Sequence, residues 1–180
     1  MDTAHKADAQ SIVIRPAEPE DAARISALLG QAGTFEGLLQ APDAPLASRL
    51  EILQRVDPMS CKLVALAGDE IVGSAGLHAM MPNLRRQHTR MLGIGLRADW
   101  QGRGIGRKLL TRLLDWADNW AGVLRVELHV HADNDRARAL YESMGFVEEG
   151  LHKAYALRNG RYIDSYSMAR LHPNPPTLPN

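Results

Sequence analysis

The stretch "DWQGRGIGRKLLTRLLDWADNW", Asp99 to Trp120, reads as a helix with an unfavourable beginning. Ile105, Leu109, Leu113, Trp116 and Trp120 recur at three- and four-residue spacing, which predicts one half-buried helical face. The first turn of that helix nevertheless holds Gly102, Gly104 and Gly106, interleaved with Arg103, Arg107 and Lys108. A glycine inside a helix costs about 1 kcal/mol relative to alanine. Cations at a helix N-terminus oppose the macrodipole. An anion site reconciles both costs. Helix N-termini present unpaired N–H groups, glycines admit a phosphate close to the backbone, and nearby cations complement it. The competing reading is structural, with glycines for close packing and cations facing solvent.

Two common phosphate sites do not fit. A P-loop requires Gly-Lys-Ser/Thr after four intervening residues, an arrangement "GRGIGRKL" lacks. A dinucleotide fingerprint requires its glycines to open a helix. "GIGLRA" matches the relaxed pattern, but Asp99-Trp100-Gln101 intervene, so those glycines belong to a strand end.

Outward from this segment, the chain of 180 residues has the size of one domain with a full core. Apolar residues make up 45% and charged residues 23%, the balance of a soluble globular protein. Basic and acidic residues number 21 each, so no global field favours nucleic acid or a membrane surface as partner. The single cysteine, Cys61, cannot form an internal disulfide, which fits a reducing cytoplasm and a packed thiol. No apolar run approaches a membrane span and no signal-peptide pattern is present, so a cytoplasmic location is expected.

The first ten residues, "MDTAHKADAQ", and the segment "HPNPPTLPN" (172–180), with its four prolines, are expected to be disordered tails around a domain spanning 11–171. "SIVIRPAEPEDAARISALLG" predicts a strand, a break at Pro16 and Pro19, and a helix begun near Glu18–Asp21 and stopped by Gly30. "PLASRLEILQRVDP" predicts a short helix, and "CKLVALAGDEIVGSAGLHAM" a hairpin turning at Gly68-Asp69. "TRMLGIGLR" and "VLRVELHV" are strands flanking the central helix. "DNDRARALYESMG" is a helix capped by Asp133 or Asn134 and ended by Gly145. Asn159-Gly160 signals a type I′ hairpin joining the last two strands. The expected fold is α+β: a mixed, mostly antiparallel central sheet of about seven strands with about four helices.

"LGIGLRADWQGRGIGRKLL", followed by "NDRARALYESMGF", resembles the GNAT superfamily of acetyl-CoA-dependent N-acetyltransferases. The family's Gln/Arg-x-x-Gly-x-Gly/Ala motif at a helix start is met by Gln101, Gly104 and Gly106. Its second element is approximated by Asn134, Ala137, Tyr141, Gly145 and Phe146, about 30 residues further on. The match extends from Ile12 to Leu171, and "KAYALRNGRYIDSYSMARL" and "RRQHTRMLGIGL" are similar to bacterial L-amino-acid N-acetyltransferases.

The resemblance implies acetyl-CoA as cosubstrate and no metal. It implies that the backbone from Gly102 through Arg103, Gly104, Ile105 and Gly106 to Arg107, flanked by Gln101, holds the coenzyme A pyrophosphate. The strand containing Ile94 and Leu96 would pair with the pantetheine arm as an extra strand would, and its amides would stabilise the oxyanion. Splaying of this strand from "RVELHVHA" would open a slot for the acetyl group. Asn134 has two compatible readings, helix cap and cofactor contact. Tyr141 read from its helix alone is a core tyrosine; the resemblance makes it the general acid for the departing thiolate. The amine would attack the thioester directly, with no acyl-enzyme and no role for Cys61.

A base for the amine is open among His129, His131, His88 and Glu36. "GTFEGLLQAPDAP" and "AMMPNLRRQH" are candidate substrate loops. Phe35, Leu38, Leu39, Met80 and Met81 are candidates for an apolar pocket, and Arg85 and Arg86 for meeting a carboxylate. The expected acceptor is a small primary amine, foremost the α-amino group of an L-amino acid. A peptide N-terminal acetyltransferase and a non-catalytic acyl-CoA sensor are the competing readings. The family resemblance also carries the expectation of a homodimer.

Overall fold

Strand β2 (Cys61–Ala67) is the sequence's most continuous apolar run, and both its faces are covered. In the computed structural model, which describes residues 11–40, 43–55, 57–80 and 83–177, Leu63, Ala65 and Ala67 pack into one core and Val64 into a second. A strand buried on both sides needs no alternation of apolar and polar residues. Its hairpin partner β3 (Glu70–Ala79) follows the turn at Gly68-Asp69, where Gly68 has φ +57°. β1 (Ile12–Pro16) and β4 (Thr89–Leu96) flank the pair, both antiparallel.

The second half of the sheet is also antiparallel. β5 (Arg125–His131) pairs with β7 (Arg161–Leu171), which pairs with β6 (Val147–Arg158) through the Asn159-Gly160 turn. Both turn residues have positive φ, +51° and +74°, as a type I′ hairpin requires. The order is β1-β2-β3-β4-β5-β7-β6. Only β4 and β5 run parallel, over Thr89–Met91 against Arg125–Glu127. Seven strands and four α-helices make the mixed, mostly antiparallel α+β sheet expected from the sequence.

Helices cover the two faces. α1 (Ala22–Leu29) and α2 (Leu46–Gln54) lie on one, with Ile25 and Leu28 against Val64 and Ile71. α3 (Ile105–Asn119) and α4 (Asp135–Ser143) lie on the other. Leu109, Leu110 and Leu113 of α3 are fully buried, each contributing roughly 1.5–3 kcal/mol of apolar transfer.

Three expectations change. The helix starts at Ile105, so Gly102 and Gly104 precede it with φ +77° each and impose no helical propensity cost. Trp120 does not extend the apolar face. It is the residue on which α3 ends, with φ −123°, and it is 79% exposed because the chain turns away there. His172, assigned to the disordered tail, is anchored: its amide donates to Leu124 O at 2.8 Å and its ring lies 3.0 Å from Asp118 O. The N-terminal ten residues and 178–180 lie outside the described residues. No described helix is long and apolar enough to cross a membrane.

The joint between β1 and α1 depends on Asp21, 1% exposed. Its carboxylate accepts from Arg15 at 2.6 and 2.9 Å, from Arg24 at 2.5 Å and from the Glu18 amide at 2.9 Å. These donors, Arg15 foremost, hold its pKa well below the usual carboxylate range. A depressed folded-state pKa contributes stability that is complete above the unfolded value near 4 and fades as pH falls below it. Both arginines are partly exposed, so solvent screens the pairs. Asp21→Ala is expected to lower unfolding free energy by about 1–3 kcal/mol at neutral pH. The loss should shrink as pH falls below about 4, read from denaturant titrations at successive pH values.

Candidate active site

Beyond Met91 and Glu127 the two halves of the sheet separate, because β4 continues along β3 while β5 continues along β7. The separation leaves one edge of β4 without a strand partner. Leu96 C=O lies on that edge and accepts from Thr34 Oγ1 at 3.1 Å and Gln101 Nε2 at 3.2 Å. Strand alternation puts the N–H and C=O of Ile94 on the same edge. A cleft of about 840 Å³ opens here, bordered by β4, β5, the start of α3, α4 and the segment 33–39.

At one end of the cleft stands the α3 N-terminus. The Gln101 amide donates to Ala98 O, and the next amide with an acceptor is Lys108, bonded to Gly104 O. The amides from Gly102 to Arg107 therefore have no partner among the described residues, and Gly102, Gly104 and Gly106 border the cleft. Nothing lies within 4 Å of a Cβ built on Gly104, so open space fronts these donors. Gly106 also has a packing reason, since its Cβ would sit 3.2 Å from Leu140 and 3.3 Å from Leu96.

The flanking side chains divide. Arg107 borders the cleft and donates to Ser143 Oγ at 2.8 Å. Arg103 turns aside, its guanidinium 4.6 Å from the Trp100 ring centroid. Ile105 is buried in the core, leaving only its backbone to the site. The Gln101 side chain is a brace, donating to Gly33 O and Leu96 O while Arg136 approaches its Oε1 at 3.4 Å. Arg136, the second residue of α4, adds a cation on the cleft that the sequence reading passed over. It stands two residues after Asn134, inside the second quoted motif.

On α4, Asn134 Oδ1 accepts from the Ala137 amide at 3.1 Å, which makes it the helix cap. The residue also borders the cleft. Tyr141 borders the same cavity while only 7% exposed. Burial alone pushes its hydroxyl up to about 12.

Of the candidate bases, Glu36, His129 and His131 meet in the cleft and His88 does not; it is exposed at the start of β4. Burial lowers the pKa of both histidines, with Arg158 adding to the effect at His131 and His152 at His129. Both shifts favour the uncharged imidazole. Among the described residues His131 Nδ1 is buried without a hydrogen-bond partner, and His129 stacks on Tyr155 at 4.9 Å. Cys61 lies half-buried on β2, its thiol pKa raised by burial, and does not border the cleft.

The loop expectations are met in part. Leu38 and Leu39 line the cleft, Phe35 and Met80 do not, and Met81 lies outside the described residues. Arg86 is committed internally: its Nη2 donates to both carboxylate oxygens of Glu127 at 2.6 and 2.7 Å. Arg85 is exposed on the turn at Leu84–Arg86. The segment 33–39 instead forms a roof. Glu36 Oε2 accepts from the Gly33 amide at 2.6 Å, and Arg158, paired with Asp133, donates to Glu36 O at 3.4 Å.

The model of the Acetyltransferase (GNAT) family matches residues 32–146, from this roof to the end of the second motif. The chain is 36% identical to the L-amino acid N-acetyltransferase AaaT of Escherichia coli K12, over 89% of this chain and 98% of that protein. It is 37% identical to the N-alpha-acetyltransferase RimI of Mycobacterium tuberculosis, over 91% and 95% respectively. The structure of spermidine N-acetyltransferase from Vibrio cholerae with CoA and spermine superposes with a TM-score of 0.77 at 26% identity, covering 92% of this chain and 97% of that one. Bare helix-start amides, a strand edge left open by splaying and the matched family model lead to one assignment: this chain belongs to the GNAT family of acetyltransferases, acyltransferases that take their acetyl group from acetyl-CoA.

Proposed function

We propose that this protein acetylates the α-amino group of a small L-amino acid with an apolar side chain. The observation that carries this reading is the roof. Residues 33–39, tied to β4 through Thr34 and to the last hairpin through Arg158, form one wall of the cleft beside the splayed strands. An extended peptide needs an open trough there, whereas a free amino acid does not. The similarity to AaaT over nearly its whole length supports the same choice.

Acetyl-CoA supplies an acetyl group activated as a thioester. The amides from Gly102 to Arg107 hold its diphosphate, with Arg107 and Arg136 as the neighbouring cations. The open edge of β4 at Ile94 and Leu96 receives the pantetheine arm in the manner of an added strand, and its amides meet developing charge on the carbonyl oxygen. Asn134 contributes its amide nitrogen, since its oxygen is engaged by the cap.

Tyr141 stabilises the departing thiolate. With its hydroxyl near 12 and a cysteine-like thiol near 8.5, complete proton transfer would be uphill by about 5 kcal/mol. Tyr141 therefore donates a hydrogen bond rather than surrendering its proton. His129 and His131, both pushed by burial toward the uncharged form, stand in the same cleft to relay the proton that the amine loses. The amine takes the acetyl group directly, so no side chain is acylated and Cys61 has no part.

Release of coenzyme A thiol across free amino acids, dipeptides and polyamines tests the acceptor class. Turnover of free amino acids is expected, and turnover confined to peptides or polyamines overturns the reading. Tyr141→Phe should lower kcat by about 10²-fold without lowering the melting temperature, because Tyr141 borders the cleft and its hydroxyl makes no structural bond among the described residues. Gly104→Val forces a β-branched residue into a left-handed conformation with no side-chain collision. Acetyl-CoA affinity by calorimetry should fall about 10- to 100-fold, and an unchanged affinity would remove the helix start from the site.

A further inference from the structure

A free amino acid as acceptor, the reading on which this inference rests, still needs a place to bind. A second cavity of about 210 Å³ lies on the α1/α2 face of the sheet. It shares Leu38 and the Gly93–Gly95 stretch of β4 with the cleft, so the two chambers meet at the strand edge. Gly95 lets Leu29 and Leu38 pack directly onto the strand beside the chamber, since a Cβ there would come within 2.5 Å of Leu29 Cδ2 and 3.4 Å of Leu38 Cδ1.

The walls are mostly apolar, from Ile25, Leu29 and Leu53, yet the charged groups among them are all basic. Lys62 is occupied, its Nζ donating to Ile52 O at 2.7 Å. Arg49 of α2 is not neutralised. Its Nη2 donates to the neutral Gln40 Oε1, and among the described residues no carboxylate lies within ion-pairing distance. Burial without a counter-charge lowers its pKa, the mark of a cation whose lost hydration is uncompensated. By contrast, Arg15, Arg86, Arg97, Arg125 and Arg170 each pair with a carboxylate.

We propose that Arg49, oriented by Gln40, is the anchor for the acceptor's α-carboxylate. The planar guanidinium fork matches a carboxylate in two parallel hydrogen bonds. The acceptor's apolar side chain then rests against Ile25, Leu29 and Leu53, and its amine faces the β4 edge. The same charge turns away two other acceptor classes. A polyamine meets like charge from Arg49 and Lys62, and a peptide N-terminus carries an amide where the anchor needs an anion.

The test compares L-leucine, L-methionine and L-phenylalanine with their carboxamides, in wild type and in Arg49→Met, Arg49→Lys and Gln40→Leu. Arg49→Met should lower kcat/KM for the acids about 10- to 100-fold through KM. The carboxamides and the KM for acetyl-CoA should change less than about twofold, and Arg49→Lys should recover part of the loss. The comparison of variant with wild type cancels the different basicities of the amines. Equal losses for acid and amide, or no loss for either, overturn the anchor while leaving amino-acid acetylation standing. Wild-type turnover of peptides or polyamines with none of the three acids overturns that reading and the anchor with it. Melting temperature and acetyl-CoA calorimetry establish that each variant is folded. If Arg49→Met does not fold, Gln40→Leu decides: a severalfold rise in KM for acids alone supports the anchor, and an equal effect on both series overturns it.

Discussion

The parallel ladder between β4 and β5, limited to Thr89–Met91 against Arg125–Glu127, is the constraint on which the molecule's chemistry depends. Each strand has a full-length antiparallel partner on its other side, and those partners diverge. A longer parallel ladder would have paired the backbone of Ile94 and Leu96 and closed the cleft. A shorter one would have left two half-sheets held mainly by helices. The backbone groups left unpaired are ordinarily a liability at a strand edge. Here the roof residue Thr34 and the brace Gln101 satisfy Leu96 C=O, and the rest of the edge faces the cleft.

The start of α3 is held open in the same way. Backbone amides from Gly102 to Arg107 have no acceptor among the described residues, and the core face of α3 offsets the cost elsewhere. Ile105, Leu109, Leu110 and Leu113 are essentially excluded from solvent, so the helix is held by packing and needs no side-chain cap. The cations around it are sorted by the fold. Arg107 and Arg136 border the cleft, while Arg103 lies over Trp100. A cluster that looks uniform in the sequence is therefore two groups with different surroundings.

Charge in the interior is mostly paired with charge, while Arg90, buried on β4, is held instead by the carbonyls of Gln87 and Thr89. Asp21 has two guanidinium partners and an amide. Arg170 is paired with Asp118 at 2.7 and 2.9 Å, and Glu127 lies between Arg86 and Arg125. The Arg170–Asp118 and Arg86–Glu127 pairs tie a strand to a helix and to a turn far apart in the chain. Arg49 departs from the pattern beside a cavity, and departures of that kind mark places where a ligand completes what the protein leaves unfinished.

The sequence by itself determined the elements whose rules are local. The hairpins at Gly68-Asp69 and Asn159-Gly160 follow from turn residues that tolerate positive φ. The face of α3 follows from helical periodicity, up to Trp120, where the helix ends. The motif residues on α3 and α4 were legible because glycine spacing and a capping asparagine act within a few residues. What only the tertiary structure decided depends on residues distant in sequence. Tyr141 reads as a core tyrosine from its helix and as a general acid only by resemblance; the packing of the chain is what brings it to the border of the cleft that β4 and β5 open. Arg86 reads as free until Glu127 arrives from another strand. Arg49 carries no signal in "PLASRLEILQRVDP", because its significance lies in a chamber floored by glycines more than forty positions away. Periodicity reports which face of an element is buried. Which partner occupies that face, and which charge is left without one, is set by the packing of the whole chain.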